Sequence, residues 1–190
     1  MIILASQSPR RAELLAQMGV RFRVAPASID ETLLPGENAA DYVERIATAK
    51  AQAVHRKFTD HTVLGSDTAV VLDRTILGKP TDRADGMRML LALAGRTHEV
   101  LTGVAVLAAG RTYYRLSSSR VLLRDISPEE AAAYWATGEP ADKAGGYAVQ
   151  GLAAAFIERI EGSYSGIMGL PLFETMQILK TVGVHKQWDV

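Results

Sequence analysis

Short apolar runs alternate with capped amphipathic segments, broken by two hairpins, and this pattern most limits how the chain can fold. Residues 2–5 read as a short buried strand. Ser8 then offers an N-cap with Pro9 at the first helical position, and Leu14, Leu15 and Met18 form an apolar face that ends at Gly19. Residues 20–25 read as a second strand, and Asn38 opens a long helix to about residue 58, with Val43, Ile46, Ala47 and Val54 on one stripe. Residues 62–72 form a strand that turns at Asp73-Arg74 and returns over 75–77. Asp82 caps a helix through about residue 94, stopped by Gly95. Two long strands, 99–107 and 112–123, join near Ala109-Gly110. Ser127-Pro128-Glu129-Glu130 is a capping box that starts a helix to about residue 137. A strand over 153–160 and a helix over 171–182, stopped by Gly183, complete the reading. Alternation with hairpins specifies a mixed α/β sheet and not a purely doubly wound one. The 190 residues make one domain, 1–190, a size that accommodates two lobes around a cleft.

Charge and cysteine content narrow the function. Lys plus Arg equals Asp plus Glu at 21 each, which argues against broad adhesion to nucleic acid or membrane and leaves room for a local basic pocket. The chain has no cysteine, so disulfides, thiolate metal sites and cysteine nucleophiles are excluded. The first apolar run is too short for a secretory signal, and Arg10-Arg11 precedes an amphipathic segment unlike a twin-arginine leader. No apolar stretch approaches the roughly 18 residues of a membrane helix, so a cytoplasmic protein is expected.

Several residues sit where packing alone would not put them. Arg10 and Arg11 lie at a helix N-terminus, an end that already carries partial positive charge. They read either as solvated surface arginines or as partners of a bound phosphate. Arg11 shares the stripe of Leu14, Leu15 and Met18 and so points toward protein. Lys50 follows the spacing of an apolar stripe, and from that segment alone its head reads as snorkelling to water. Asp67 is the most informative. It interrupts the apolar strand around it, where a carboxylate is costly unless paired, hydrogen-bonded or metal-bound. Gly65 and Ser66 before it read as room for a ligand. Strict alternation sends Thr68 to the opposite face from Asp67, so a site using both requires the strand to end or bulge there. Asp30-Glu31 in a polar loop suits either metal ligation or solvation, Gly78-Lys79-Pro80 presents a lysine on a stiff turn, and residues 143–151 form a glycine-rich run whose Gln150 could read a base edge. Walker, dinucleotide and nucleophile-elbow motifs are absent, and His55, His61, His98 and His185 lack zinc-ligand spacing.

Together these segments resemble the Maf family of nucleotide pyrophosphatases over nearly the whole chain. The resemblance is carried by Leu-Ala-Ser-Gln-Ser-Pro-Arg-Arg at 4–11, Asp30-Glu31, the Lys50 helix, Gly-Ser-Asp-Thr at 65–68, Gly-Lys-Pro at 78–80, Thr102-Gly103, the run over 142–151 and Gly169-Leu170-Pro171. The 142–151 run looks like the dTTP/UTP branch, which more often has alanine at Gly146 and glycine at Ala148. The resemblance implies an inosine-triphosphatase-like mixed sheet with two lobes, commonly dimeric. It implies Asp67 as proton acceptor and metal contact, Glu31 as a metal ligand, and Mg²⁺ or Mn²⁺ as cofactor. Arg10, Thr68 and Gln150 would sit at specificity positions, and Ser6, Arg11, Lys50 and Lys79 would line the triphosphate path. Glutamine pairs with uracil and thymine in one orientation and with cytosine in the other, so the base assignment follows from the branch. Two other readings are a regulatory module that binds nucleotide or nucleic acid without turnover, and a purine-directed house-cleaning triphosphatase.

Overall fold

The computed structural model describes residues 1–184; His185 lies outside them. The expected elements form close to their anticipated bounds. They are β1 (Ile2–Leu4), α1 (Pro9–Gln17), β2 (Phe22–Val24), α2 (Ala39–His55), β3 (Val63–Leu72), β4 (Thr75–Leu77) and α3 (Arg83–Leu93), followed by β5 (Thr97–Ala108), β6 (Arg111–Leu123) and α4 (Pro128–Ala136). The caps are those the sequence specifies: Asn38, Asp82 and Ser127 side chains accept from the backbone N–H groups of Asp41, Asp85 and Glu130.

Near the C-terminus the structure departs from expectation. The strand expected over 153–160 is shifted: Leu152–Phe156 is a 3₁₀ turn and β7 is Ile157–Glu161. Alanine has little preference for strands. Ala153 and Phe156, three apart, are the buried pair, as a three-residue turn requires. A five-residue helix, α5 (Tyr164–Met168), precedes α6 (Leu172–Thr181) and was not anticipated, because five residues are too few to show a helical period.

Among the described residues seven strands form one mixed sheet in the order β2-β1-β3-β5-β6-β7, with β4 paired to β3. β1 runs parallel to β2 and β3, and the other pairs are antiparallel. β3 has two unequal edges. One is paired with β5 from Val63 through Val71, while the other meets β1 only at Val63 and Leu64 and β4 only at Val70, Val71 and Leu72. Residues 65–69 therefore border a gap in the sheet, at the carboxyl end of β1, where ligands of open α/β sheets bind.

The gap also separates two lobes. On one face of the sheet, a core of Leu4, Leu15, Leu64, Val104, Val106 and Leu179 packs under α1 and α6. A second core of Val70, Leu90, Leu93, Val100, Leu123 and Tyr134 packs under α3 and α4. Between them runs a buried polar band, Ser66, Thr102 and Ser117. Thr102 Oγ1 donates to Gly166 O at 2.7 Å, and Ser66 Oγ lies 2.9 Å from Gly169 O, so α5 and its capping glycine are fastened across the band. The opposite face is covered by α2, which spans both lobes. A Cβ on Gly65 would fall 2.3 Å from Ala47 O, and one on Gly103 2.8 Å from Val43 O, so α2 lies directly on the strands.

Candidate active site

A cavity of about 740 Å³ opens at the gap, and the nine side chains to which the resemblance gives a role all line it: Ser6, Arg10, Arg11, Glu31, Lys50, Asp67, Thr68, Lys79 and Gln150. They arrive from different parts of the fold. Ser6, Arg10 and Arg11 come from the β1–α1 junction, Asp67 and Thr68 from mid-β3 and Lys50 from α2, while Lys79 follows β4 and Gln150 follows the glycine-rich turn. Gly145 N donates to Gly78 O at 3.0 Å, which ties the Lys79 turn to the 143–146 segment.

The centre of the site is a cation between two carboxylates. Lys50 Nζ lies 2.8 Å from Asp67 Oδ1 and 3.0 Å from Glu31 Oε1. Lys50 does not snorkel to water: close packing of α2 on Gly65 and Gly103 sends its stem inward, and the ammonium is held by Asp67. Gly65 and Ser66 are absent from the cavity wall, so they do not make room for a ligand. Gly65 admits the helix, and Ser66 anchors Gly169.

Arg11 is the second focus. Its Nε donates to Gly169 O at 2.8 Å, while its terminal nitrogens lie 3.4 Å from Ser6 Oγ and 3.3 Å from Thr68 Oγ1. Burial pushes the guanidinium pKa down, against the opposing pull of Asp67 and Glu31. Among the described residues this half-buried guanidinium hydrogen-bonds only neutral oxygens, which leaves it able to receive an anion. Arg10 reaches the same cavity and lies 4.0 Å from Asp142, itself paired with Lys143. Lys79 is exposed at the rim, and among the described residues it makes no ion pair, nor does the Gln150 amide make a hydrogen bond.

Thr68 and Asp67 serve one cavity although β3 neither ends nor bulges, since its register with β5 is unbroken from Val63 to Val71. Asp67 faces α2 and Thr68 faces Arg11 and Thr102. The missing neighbour strand lets one cavity reach both faces around an open edge, which removes the need for a bulge.

Three participants were not foreseen. Tyr42 donates to Glu31 O at 3.1 Å, and its phenol pKa is pushed up to about 12 by burial and then by Asp67 and Glu31. Asp142 faces Arg10, and the Gly169 carbonyl fixes Arg11. Tyr42 looks from its own segment like any half-buried aromatic, and a carbonyl leaves no mark in sequence. Asp30, by contrast, is turned back on Thr32, accepting from its N–H at 2.9 Å and its hydroxyl at 2.6 Å, and does not line the cavity. Among the described residues no group of three or more His, Cys, Asp or Glu side chains is placed to hold a metal, and no helix is long and apolar enough to cross a membrane.

A family model described as "Maf-like protein" matches residues 1–182. The chain belongs to the Maf-like family. Its Maf-like relatives include proteins named dTTP/UTP pyrophosphatase. The one from Hahella chejuensis is 52% identical over 191 residues, covering 99% of this chain and 94% of the relative. Those from Methylobacillus flagellatus and Nitrosomonas europaea are 51% and 50% identical, each covering 96% of this chain and 93% and 95% of the relatives. The seven-stranded mixed sheet with a cleft between two lobes agrees with the α/β architecture expected of a Maf-like chain.

Proposed function

We propose that this Maf-like chain hydrolyses dTTP and UTP, with modified uridine triphosphates as further candidates, to the monophosphate and pyrophosphate. The observation that carries the reading is the half-buried Arg11 guanidinium, whose hydrogen bonds among the described residues go to neutral oxygens, in one cavity with Arg10, Lys79 and the Lys50–Asp67 pair. A triphosphate brings about four negative charges, and fixed cations that meet it in a partly dry cleft stabilise charge developing on the leaving group. Arg11 and Lys79 would hold the phosphate chain, with Ser6 beside Arg11. Asp67 would take a proton from the attacking water as its oxygen bonds to the α-phosphorus and the bond to the bridging oxygen breaks, releasing pyrophosphate. Gln150, whose amide has no hydrogen-bond partner among the described residues, would hydrogen-bond the base, with Arg10 and Thr68 at the remaining specificity positions.

A divalent ion fits the same centre. Asp67 Oδ1 and Glu31 Oε1 already converge on one cation within 3.0 Å, and two carboxylates plus waters and phosphate oxygens are what Mg²⁺ or Mn²⁺ accepts. When bound, the ion supplies Lewis-acid neutralisation of the phosphate oxygens. A cytoplasmic homodimer acting on free nucleotides, without a nucleic-acid partner, completes the reading; sedimentation should then give about twice the 20.5 kDa of one chain.

Pyrophosphate release from a nucleotide panel tests the assignment. With Mg²⁺ or Mn²⁺, dTTP and UTP should turn over fastest, and Asp67→Asn should lose about 10²–10⁴-fold in kcat while remaining folded. Undiminished turnover by the variant would remove Asp67 from its role, and preference for purine triphosphates would overturn the substrate assignment.

A further inference from the structure

Two carboxylates assigned to a metal already share a resident cation. Lys50 Nζ is within 3.0 Å of both Glu31 Oε1 and Asp67 Oδ1, and only 10% of its side chain is exposed. Among the described residues no other lysine, arginine or histidine pairs with either carboxylate. Arg11, in the same cavity, spends its hydrogen bonds on Gly169, Ser6 and Thr68.

The two carboxylates differ in exposure. Asp67 is buried on a central strand, whereas the Glu31 side chain is half exposed on a loop and among the described residues pairs with Lys50 alone. Without a cation between them two facing carboxylates repel and separate. An ammonium that holds them together also opposes a divalent ion arriving at the same oxygens, because like charges a few ångströms apart in a poorly screened cleft interact strongly.

We propose that Lys50 is a place-holding cation. It keeps Glu31 and Asp67 converged, weakens divalent-ion binding to the free protein, and passes from the carboxylates to a phosphate oxygen when the ion arrives together with nucleotide. This rests on the reading of Glu31 and Asp67 as metal ligands. It adds a consequence that reading lacks: removing Lys50 has opposite effects on the two ligands. The carboxylates gain affinity for a free cation, while the nucleotide loses a phosphate contact.

The test titrates Mn²⁺ alone, followed by its electron paramagnetic resonance, and separately the non-hydrolysable α,β-imido analogue of dTTP in chelator, into wild type, Lys50→Met and Lys79→Met. In Lys50→Met, Mn²⁺ should bind about tenfold tighter and the analogue about tenfold weaker, the size expected of one nearby charge in a partly screened cleft. Lys79→Met, which removes a cation unpaired with these carboxylates, should weaken only the analogue. Lys50→Gln provides the same comparison should the methionine variant fold poorly. If both ligands weaken in Lys50→Met and Lys50→Gln, Lys50 is merely structural and the proposal fails. If Mn²⁺ affinity is unchanged in those variants but falls in Asp67→Asn, the place-holding role fails while the metal reading stands. If Mn²⁺ binds none of the proteins, both fall.

Discussion

The titratable side chains of this protein take their properties from their surroundings, and His98 is the clearest case. It is 2% exposed on β5, its Nε2 lies 2.7 Å from the Tyr147 hydroxyl, and the two rings meet edge to face. Burial lowers its pKa from 6.5 to about 4, so the folded protein keeps the ring neutral where an unfolded chain would protonate it. The unfolded state therefore binds more protons between those two values, and stability present above pH 6.5 is lost as pH falls toward 4. At about 1.4 kcal/mol per pKa unit the full loss is on the order of 3 kcal/mol. Urea unfolding of wild type and His98→Phe at several pH values checks this. The variant should show a shallower decline over that window, and identical slopes would mean that His98 is not the group titrating. Tyr147 lines the cavity, so the same neutral imidazole also braces a wall of the site.

Among the elements, α2 and β3 together decide whether there is a site. Lys50 reaches Asp67 only because α2 lies against bare backbone at Gly65 and Gly103, and a methyl at Gly65 would meet Ala47 O at 2.3 Å and Ala51 N at 2.8 Å. Backbone atoms within a helix cannot step aside singly, so Gly65→Ala must lift α2 or bend β3. A loss of about 1–3 kcal/mol in stability is expected, with weaker nucleotide binding as the Lys50–Asp67 pair opens. Gly78→Ala is the matched control. Its Cβ would meet nothing within 4 Å, and its φ lies outside the left-handed range. Thermal unfolding of both variants should separate them; equal midpoints would show that α2 has slack at Gly65.

For the molecule as a whole, the site is shared among bodies that pack separately. Arg11 belongs to the lobe built on α1 and α6, Lys79 to the lobe built on α3 and α4, and Asp67 to the strand common to both. A triphosphate that touches all three bridges the lobes. A ligand that binds only the folded state at 100 times its dissociation constant stabilises by about 2.7 kcal/mol. The α,β-imido analogue of dTTP should therefore raise the unfolding midpoint of wild type. At the same analogue concentration Lys79→Ala should show a smaller rise, with an unliganded midpoint close to wild type because Lys79 is exposed and unpaired among the described residues. An undiminished rise would return Lys79 to a plain surface role.

What sequence determined here is local or follows from composition. Caps at Ser8, Asn38, Asp82 and Ser127 set helix starts, and apolar periodicity set the strands, because both depend on neighbours within one or two turns. Asp67 stood out because a carboxylate among apolar strand residues is costly wherever that strand packs, and the order of short motifs pointed to the Maf-like family. Only the tertiary structure decided where side chains from distant segments meet. It turned Lys50 inward, reassigned Gly65 and Ser66 from ligand room to packing and anchoring, and brought Tyr42 and the Gly169 carbonyl to the site. It also let Asp67 and Thr68 share a cavity from opposite faces of an unbroken strand. The physical reason is that β1 and β4 leave one edge of β3 open over five residues. That gap is fixed by where the ends of other strands fall, and no window of sequence around Asp67 contains it.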